Sequence, residues 1–209
     1  VPLLGKRDAH QVAAGNSLDA SLGLLRGVAT PWLLAAARLS SVVGQRSRRS
    51  RKHRKEKVMV SDATIGTLKA SLRGELIQRA DPQYEQACKL YNGMIDKRPL
   101  LIARCADIAD VISAVRFGRE HGLLTAIRGR GHSGPGLGSC NDGLVIDLGL
   151  MNGVRVDPAS RTVRVEGGAT QGGVDHATHV FGLAVPAGIV STIGIGGLTL
   201  GGGHGYLSR

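Results

Sequence analysis

The chain has 209 residues, enough for one large domain or two small ones and for a core of its own. Its formal net charge of +11 would point to nucleic acid if it were evenly spread, but residues 1–58 carry twelve Lys/Arg against three acidic residues, and residues 59–209 carry fifteen against thirteen. The basicity belongs to the N-terminal quarter and argues against nucleic acid as the partner of the rest. Cys88, Cys105 and Cys140, with no C-x-x-C, make no disulfide framework and fit a reducing, cytoplasmic setting.

Residues 1–57 run from Gly/Ser/Ala/Leu-rich sequence to the basic run Arg46–Lys55. The longest apolar stretch, Val28 to Ala37, is interrupted by Pro31 and closed by Arg38, too short to cross a bilayer. Most of the positive charges come after it, which is not the order of a signal peptide. A basic, disordered extension is expected here. It reads as a nucleic-acid- or partner-binding arm acting through residues 46–57, as an organelle presequence, or as sequence upstream of a true start at Met59, where the composition becomes balanced.

Residues 58–97 read as a helical lead-in, with Ile65, Leu68, Leu72, Leu76 and Ile77 spaced three or four apart over Ala63 to Ala80. Tyr84 to Asp96 is irregular. Arg98 to Ala103 predicts a short buried strand, and Ala106 to Gly122 a helix with the apolar stripe Ile108, Val111, Ile112 and Val115. Leu123 to Ile127 then predicts a second strand. This strand–helix–strand unit delivers the chain into a loop running from Arg128 to Gly138 that holds five glycines, two arginines and His132. Glycines let successive backbone N–H groups converge on one anion, and loops at strand ends of α/β units are the usual place for a ligand.

Three common sites are excluded by the residues that flank the glycines. Gly129, Gly131 and Gly134 match G-x-G-x-x-G, yet Pro135-Gly136-Leu137-Gly138-Ser139 cannot open the helix that a dinucleotide fingerprint needs. Gly131 to Pro135 ends in proline where a hydrolase elbow needs glycine. Gly201 to Gly203 lacks the Gly-Lys-Ser/Thr of a P-loop. His176 and His179 flank one helix face beside Asp175, with no matching ligand pair elsewhere. Downstream, Leu144 to Leu148 predicts a strand, Val154–Asp157 and Thr162–Glu166 a hairpin, and Thr170 to Phe181 a helix capped by Thr170 and ended by Gly182. A second glycine-rich segment runs from Val185 to Gly205. Two such segments separated by strands predict two loops folded around one extended ligand.

Arg128-Gly129-Arg130-Gly131-His132-Ser133, the strand Leu144–Leu148, Val165-Glu166-Gly167-Gly168-Ala169 and the run from Pro186-Ala187-Gly188 to Arg209 together resemble the FAD-binding domain of FAD-linked oxidoreductases. This is the vanillyl-alcohol-oxidase fold group, and the berberine-bridge-enzyme-like oxidases are the nearest look. The resemblance covers roughly Arg98 to Arg209 and implies an α+β FAD-binding domain over 98–209, truncated before the substrate domain. It implies FAD as cofactor, joined through a ring nitrogen of His132 to the flavin 8α methyl. Arg128, Gly129, Arg130, Gly131, His132, Ser133 and Gly138 would lie on one side of it, and Gly188, Thr192, Gly194, Gly197 and Gly203 on the other. Doubly linked members carry cysteine where this chain has Val190, so a single tether is implied. The implied full-length reaction removes hydride from a C–H next to oxygen or nitrogen of a small-molecule substrate, with O₂ reoxidising the flavin. The catalytic base of such enzymes usually comes from the later domain, which leaves an inactive truncated remnant as another reading. Relatives tend to carry Trp and Asp where Gln171 and Gly173 stand.

Overall fold

The structure, a computed structural model, describes residues 60–207 and the short strand Leu4–Gly5. The basic run Arg46–Lys55 and the boundary at Met59 lie outside the described residues. In chain order the elements are β1 (Leu4–Gly5), α1 (Asp62–Ser71), β2 (Glu75–Gln78), α2 (Tyr84–Cys88), β3 (Leu101–Arg104), α3 (Ile108–Glu120), β4 (Thr125–Arg128), β5 (Leu144–Asp147), β6 (Val154–Asp157), β7 (Thr162–Val165), α4 (Gln171–His179), β8 (Leu183–Ala184) and α5 (Ile195–Gly201).

The central sheet has the order β2-β3-β5-β4, with β3, β5 and β4 parallel and β2 antiparallel at one edge. Side chains alternate across it, so β3 and β5 feed two cores at once. Leu101, Ala103, Leu144 and Ile146 pack with Ile65 and Leu68 of α1 and with Ala114 and Phe117 of α3. Ile102 and Val145 pack on the other face with Ile77, Tyr84, Cys88, Ala126 and Cys140. Each such buried Leu or Ile stabilises the fold by about 1.5–3 kcal/mol. The remaining strands form two small antiparallel pairs, the expected β6–β7 hairpin and β1 with β8.

Two expectations are corrected. The helix expected over Ala63 to Ala80 stops at Ser71, and Leu76 and Ile77 lie in strand β2. Gly74 is the break: a Cβ there would run into the Arg104 carbonyl, so only glycine lets the chain approach β3. The N–H groups of Arg73, Gly74 and Ala106 then converge on the carboxylate of Asp110 at 2.8–2.9 Å. The buried face of α3 is therefore Asp110, Ala114, Phe117 and Gly118, while Ile108, Ile112 and Val115 are exposed. Burial opposes the Asp110 charge, but the three backbone N–H bonds more than offset it and hold its pKa below the usual carboxylate value.

The expected cap at Thr170 is present, and two further helices are capped in the same way. Ser61, Asp107 and Thr170 each accept a backbone N–H from the first turn of α1, α3 and α4. The three cysteines are free and buried, and burial pushes the Cys105 thiol up to about 12. No helix among the described residues is long and apolar enough to cross a membrane.

Candidate functional site

The sheet register sets four charged residues abreast: Arg104, Asp147 and Arg128 at the C-terminal ends of the parallel strands, and Glu75 at the start of antiparallel β2. Opposite signs alternate along this row, as favourable cross-strand pairs require. Arg104 meets Glu75 at 3.2 Å and Arg128 meets Asp147 at 2.8 Å. The second pair is buried, with side-chain exposures of 7% and 14%. The other Arg128 nitrogen donates to the Ala87 carbonyl at 2.8 Å, so its guanidinium is committed to the scaffold and its backbone leads into the glycine loop.

From Arg128 the chain enters that loop under restraint from a single upstream segment. Lys97 Nζ donates to the carbonyls of Gly136 and Ser139 at 2.6 and 3.0 Å, Asn92 Nδ2 to that of Gly134 at 2.8 Å, and Tyr91 N–H to that of Gly131 at 3.2 Å. Gly131 turns with φ of 72°, a left-handed conformation that a side chain would strain. The amides of Gly129, Arg130, Gly131, His132 and Ser133 donate to no acceptor among the described residues. All of these residues but Arg130 are buried or half-buried, where donors are rarely left unpaired. A run of five free N–H groups on a glycine loop is the form of an anion cradle.

The second glycine segment comes up against this loop. Gln171 and Gly172 N–H donate to the carbonyls of Ile193 and Ser191 at 2.9 and 2.8 Å, and Arg130 Nε donates to the Gly168 carbonyl at 2.5 Å. A Cβ on Gly194 would stand 2.9 Å from the Arg130 nitrogen, so the two loops meet backbone to backbone only because residue 194 is glycine. The short helix α5 opens directly behind Gly194, an element that the sequence pattern did not predict.

Between the loops lies a cleft of about 400 Å³ lined by Arg128–Ser133 and Gly138 on one side and by Gly194 and Gly197 on the other. Ile127, Leu137, Ile193 and Leu198 give it apolar walls. Nine of the twelve expected site residues are thus brought together. Gly188, Thr192 and Gly203 are not: Gly188 and Gly203 close on the side chain of Leu198, and Thr192 is exposed. A second cleft of about 330 Å³ lies at the strand ends and shares Arg128–Gly131. His132 is half-buried, with its ring stacked on Tyr91. His176 and His179 lie on α4, away from the cleft-lining residues.

Asp147, Tyr91 and the apolar walls are not predicted by the sequence. Asp147 has a weak signal, a charge closing an apolar strand, whereas Tyr91 lies forty-one residues from His132 and carries none.

The free amides suit a diphosphate, and the apolar walls beside them suit a flat aromatic ring system, so the residues present fit FAD. Comparison with known proteins agrees. Residues 99–209 match the family described as FAD binding domain. An FAD-linked oxidoreductase of Dictyostelium discoideum is 41% identical over 140 residues, covering 66% of this chain and 30% of the relative. The crystal structure of 6-hydroxy-D-nicotine oxidase from Arthrobacter nicotinovorans superposes with a TM-score of 0.64 at 36% identity, covering 66% of this chain and 30% of that one. A berberine-bridge-enzyme-like protein of Physcomitrella patens superposes with a TM-score of 0.64 at 26% identity, over 68% and 31%. The chain spans about 30% of the length of the curated relatives it matches first. The chain belongs to the FAD-binding domain family of the FAD-linked oxidoreductases, with the vanillyl-alcohol-oxidase type of fold.

Proposed function

We propose that the chain is the FAD-binding part of an oxidase. The amides of Gly129–Ser133 hold the diphosphate, Gly194 and Gly197 close over it, and His132 carries the flavin. Gly138 lines the cleft with them, Gly188 and Gly203 stand behind its wall residue Leu198, and Thr192 lies on the same segment. The five unpaired loop amides carry this reading. Bound flavin supplies two-electron chemistry, accepting hydride from a C–H beside oxygen or nitrogen of a small molecule, with dioxygen as the final acceptor. The relative named as an oxidase, 36% identical, supports that class.

A ring nitrogen of His132 would hold the flavin at its 8α carbon; forming that link would remove one hydrogen from each partner, and the two hydrogens with two electrons would pass to an acceptor such as dioxygen, giving hydrogen peroxide. Val190, where a second tether would need cysteine, supports a single link. The proposed organisation is a basic extension over 1–57, a lead-in over 58–97 and an FAD-binding domain over 98–209. The three free, buried cysteines support a reducing, cytoplasmic compartment.

The test is titration of the purified chain with FAD, read by flavin fluorescence. Wild type and His132→Ala should both bind, and only the variant should release its flavin in acid. A chain that leaves FAD fluorescence unchanged at every concentration refutes the reading.

A further inference from the structure

Tyr91 stacks on His132 with ring centroids 4.0 Å apart and planes 17° from parallel. Neither imidazole nitrogen has a hydrogen-bond partner among the described residues, so this stack is the restraint on the ring. The backbones beneath are tied by Tyr91 N–H to the Gly131 carbonyl at 3.2 Å and by Asn92 Nδ2 to the Gly134 carbonyl at 2.8 Å, on either side of His132. His132 also lines the 400 Å³ cleft, so its ring is backed by the phenol while still reaching the cleft. Tyr91 is 69% exposed and belongs to neither core cluster. An aromatic left largely in water, with its one ring contact on the proposed attachment residue, is not explained by packing.

We propose that Tyr91 is a positioning residue for flavin attachment, holding the imidazole in the rotamer from which a ring nitrogen reaches the 8α carbon. The inference rests on His132 as the attachment point. The bond formed is N–C8α; one N–H and one C–H are broken, and the two hydrogens leave with two electrons to dioxygen. Tyr91 takes no proton and no electron. Its ring removes the alternative staggered wells of the histidine side chain, which would turn the nitrogen away. Orientation of this kind acts on rate, and a misplacement of about 1 Å is worth on the order of 100-fold.

The experiment uses the full 209-residue chain with Tyr91→Leu and Tyr91→Phe. Both keep the backbone bond to Gly131, so they test the ring alone, and substitution at an exposed site should leave the fold intact. Two quantities are read: the ¹H shifts of the His132 ring without FAD, and the rate at which added FAD becomes acid-stable. Wild type and Tyr91→Phe should show His132 protons displaced upfield and equal rates. Tyr91→Leu should lose the displacement and attach flavin about 10- to 100-fold more slowly. Unchanged His132 shifts or an unchanged rate in Tyr91→Leu overturns the inference alone. Acid-stable flavin on His132→Ala, or none on wild type, overturns the attachment reading and this inference with it.

Discussion

The two glycine-rich segments that meet at the cleft are held in different ways. The first, Gly129 to Ser139, grows from the half-buried parallel edge strand β4 and is pinned by Lys97, Asn92, Tyr91 and the Arg128–Asp147 pair. The second, Gly188 to Gly205, contributes no buried apolar residue to either core, and α5 has no buried residue at all. It is attached through backbone bonds to residues 169–172 and through the approach of Gly194 to Arg130. A preorganised loop recognises its ligand without reordering, whereas a weakly packed one gains order from the ligand. In the proposed reading the first segment is therefore the cradle and the second the cover.

Breaking the first segment should cost the most. Asp147→Ala leaves Arg128 as a buried, unpaired charge and should destabilise the chain by about 3–5 kcal/mol, measured by guanidinium unfolding. A loss below about 1 kcal/mol would mean that the loop does not depend on the strand-end pair. Next is Asp110→Asn, which weakens charged acceptance from three N–H groups and should cost about 1.5–3 kcal/mol at neutral pH. Because the folded-state pKa of Asp110 is depressed, its contribution is complete above the unfolded carboxylate pKa of about 3.9 and disappears as pH falls through the lower folded value. The gap between wild type and Asp110→Asn should stay constant above about pH 5 and narrow below about pH 4. A gap that widens in acid would contradict this.

These two sites also show what could be read from sequence. The strands β3 and β5, the β6–β7 hairpin and the Thr170 cap were legible because local residues dictate them. Strand β2 was not, since Leu76 and Ile77 fit a helical spacing equally well and the break at Gly74 is imposed by Arg104, thirty residues away. The inward face of α3 was misread for a related reason: Asp110 is charged, so periodicity places it outside, whereas unpaired N–H groups of another segment draw it in. At the site, the contiguous motif from Arg128 to Ser133 announced itself, while Tyr91 and Asp147 reach it only through the fold.

Perturbing the second segment should change binding more than stability. A Cβ on Gly194→Ala would press against the Arg130 nitrogen, and FAD affinity should weaken by about 1–3 kcal/mol while the melting midpoint of the free chain moves little. Parallel fluorescence titration and thermal unfolding check the contrast, and equal losses in both would remove the distinction between cradle and cover. Smallest of all, Leu200→Ser, at a residue of α5 that is 92% exposed, should change stability by no more than about 0.5 kcal/mol in the free chain. A larger change would show that the cover is packed in the free chain.

The most direct measurement is mass spectrometry of the proteolytic peptide that contains His132, taken from chain incubated with FAD and dioxygen and then denatured in acid. The account predicts one FAD on that peptide, attached to His132, and none on any other. An unmodified His132 peptide, or flavin on another residue, would contradict it.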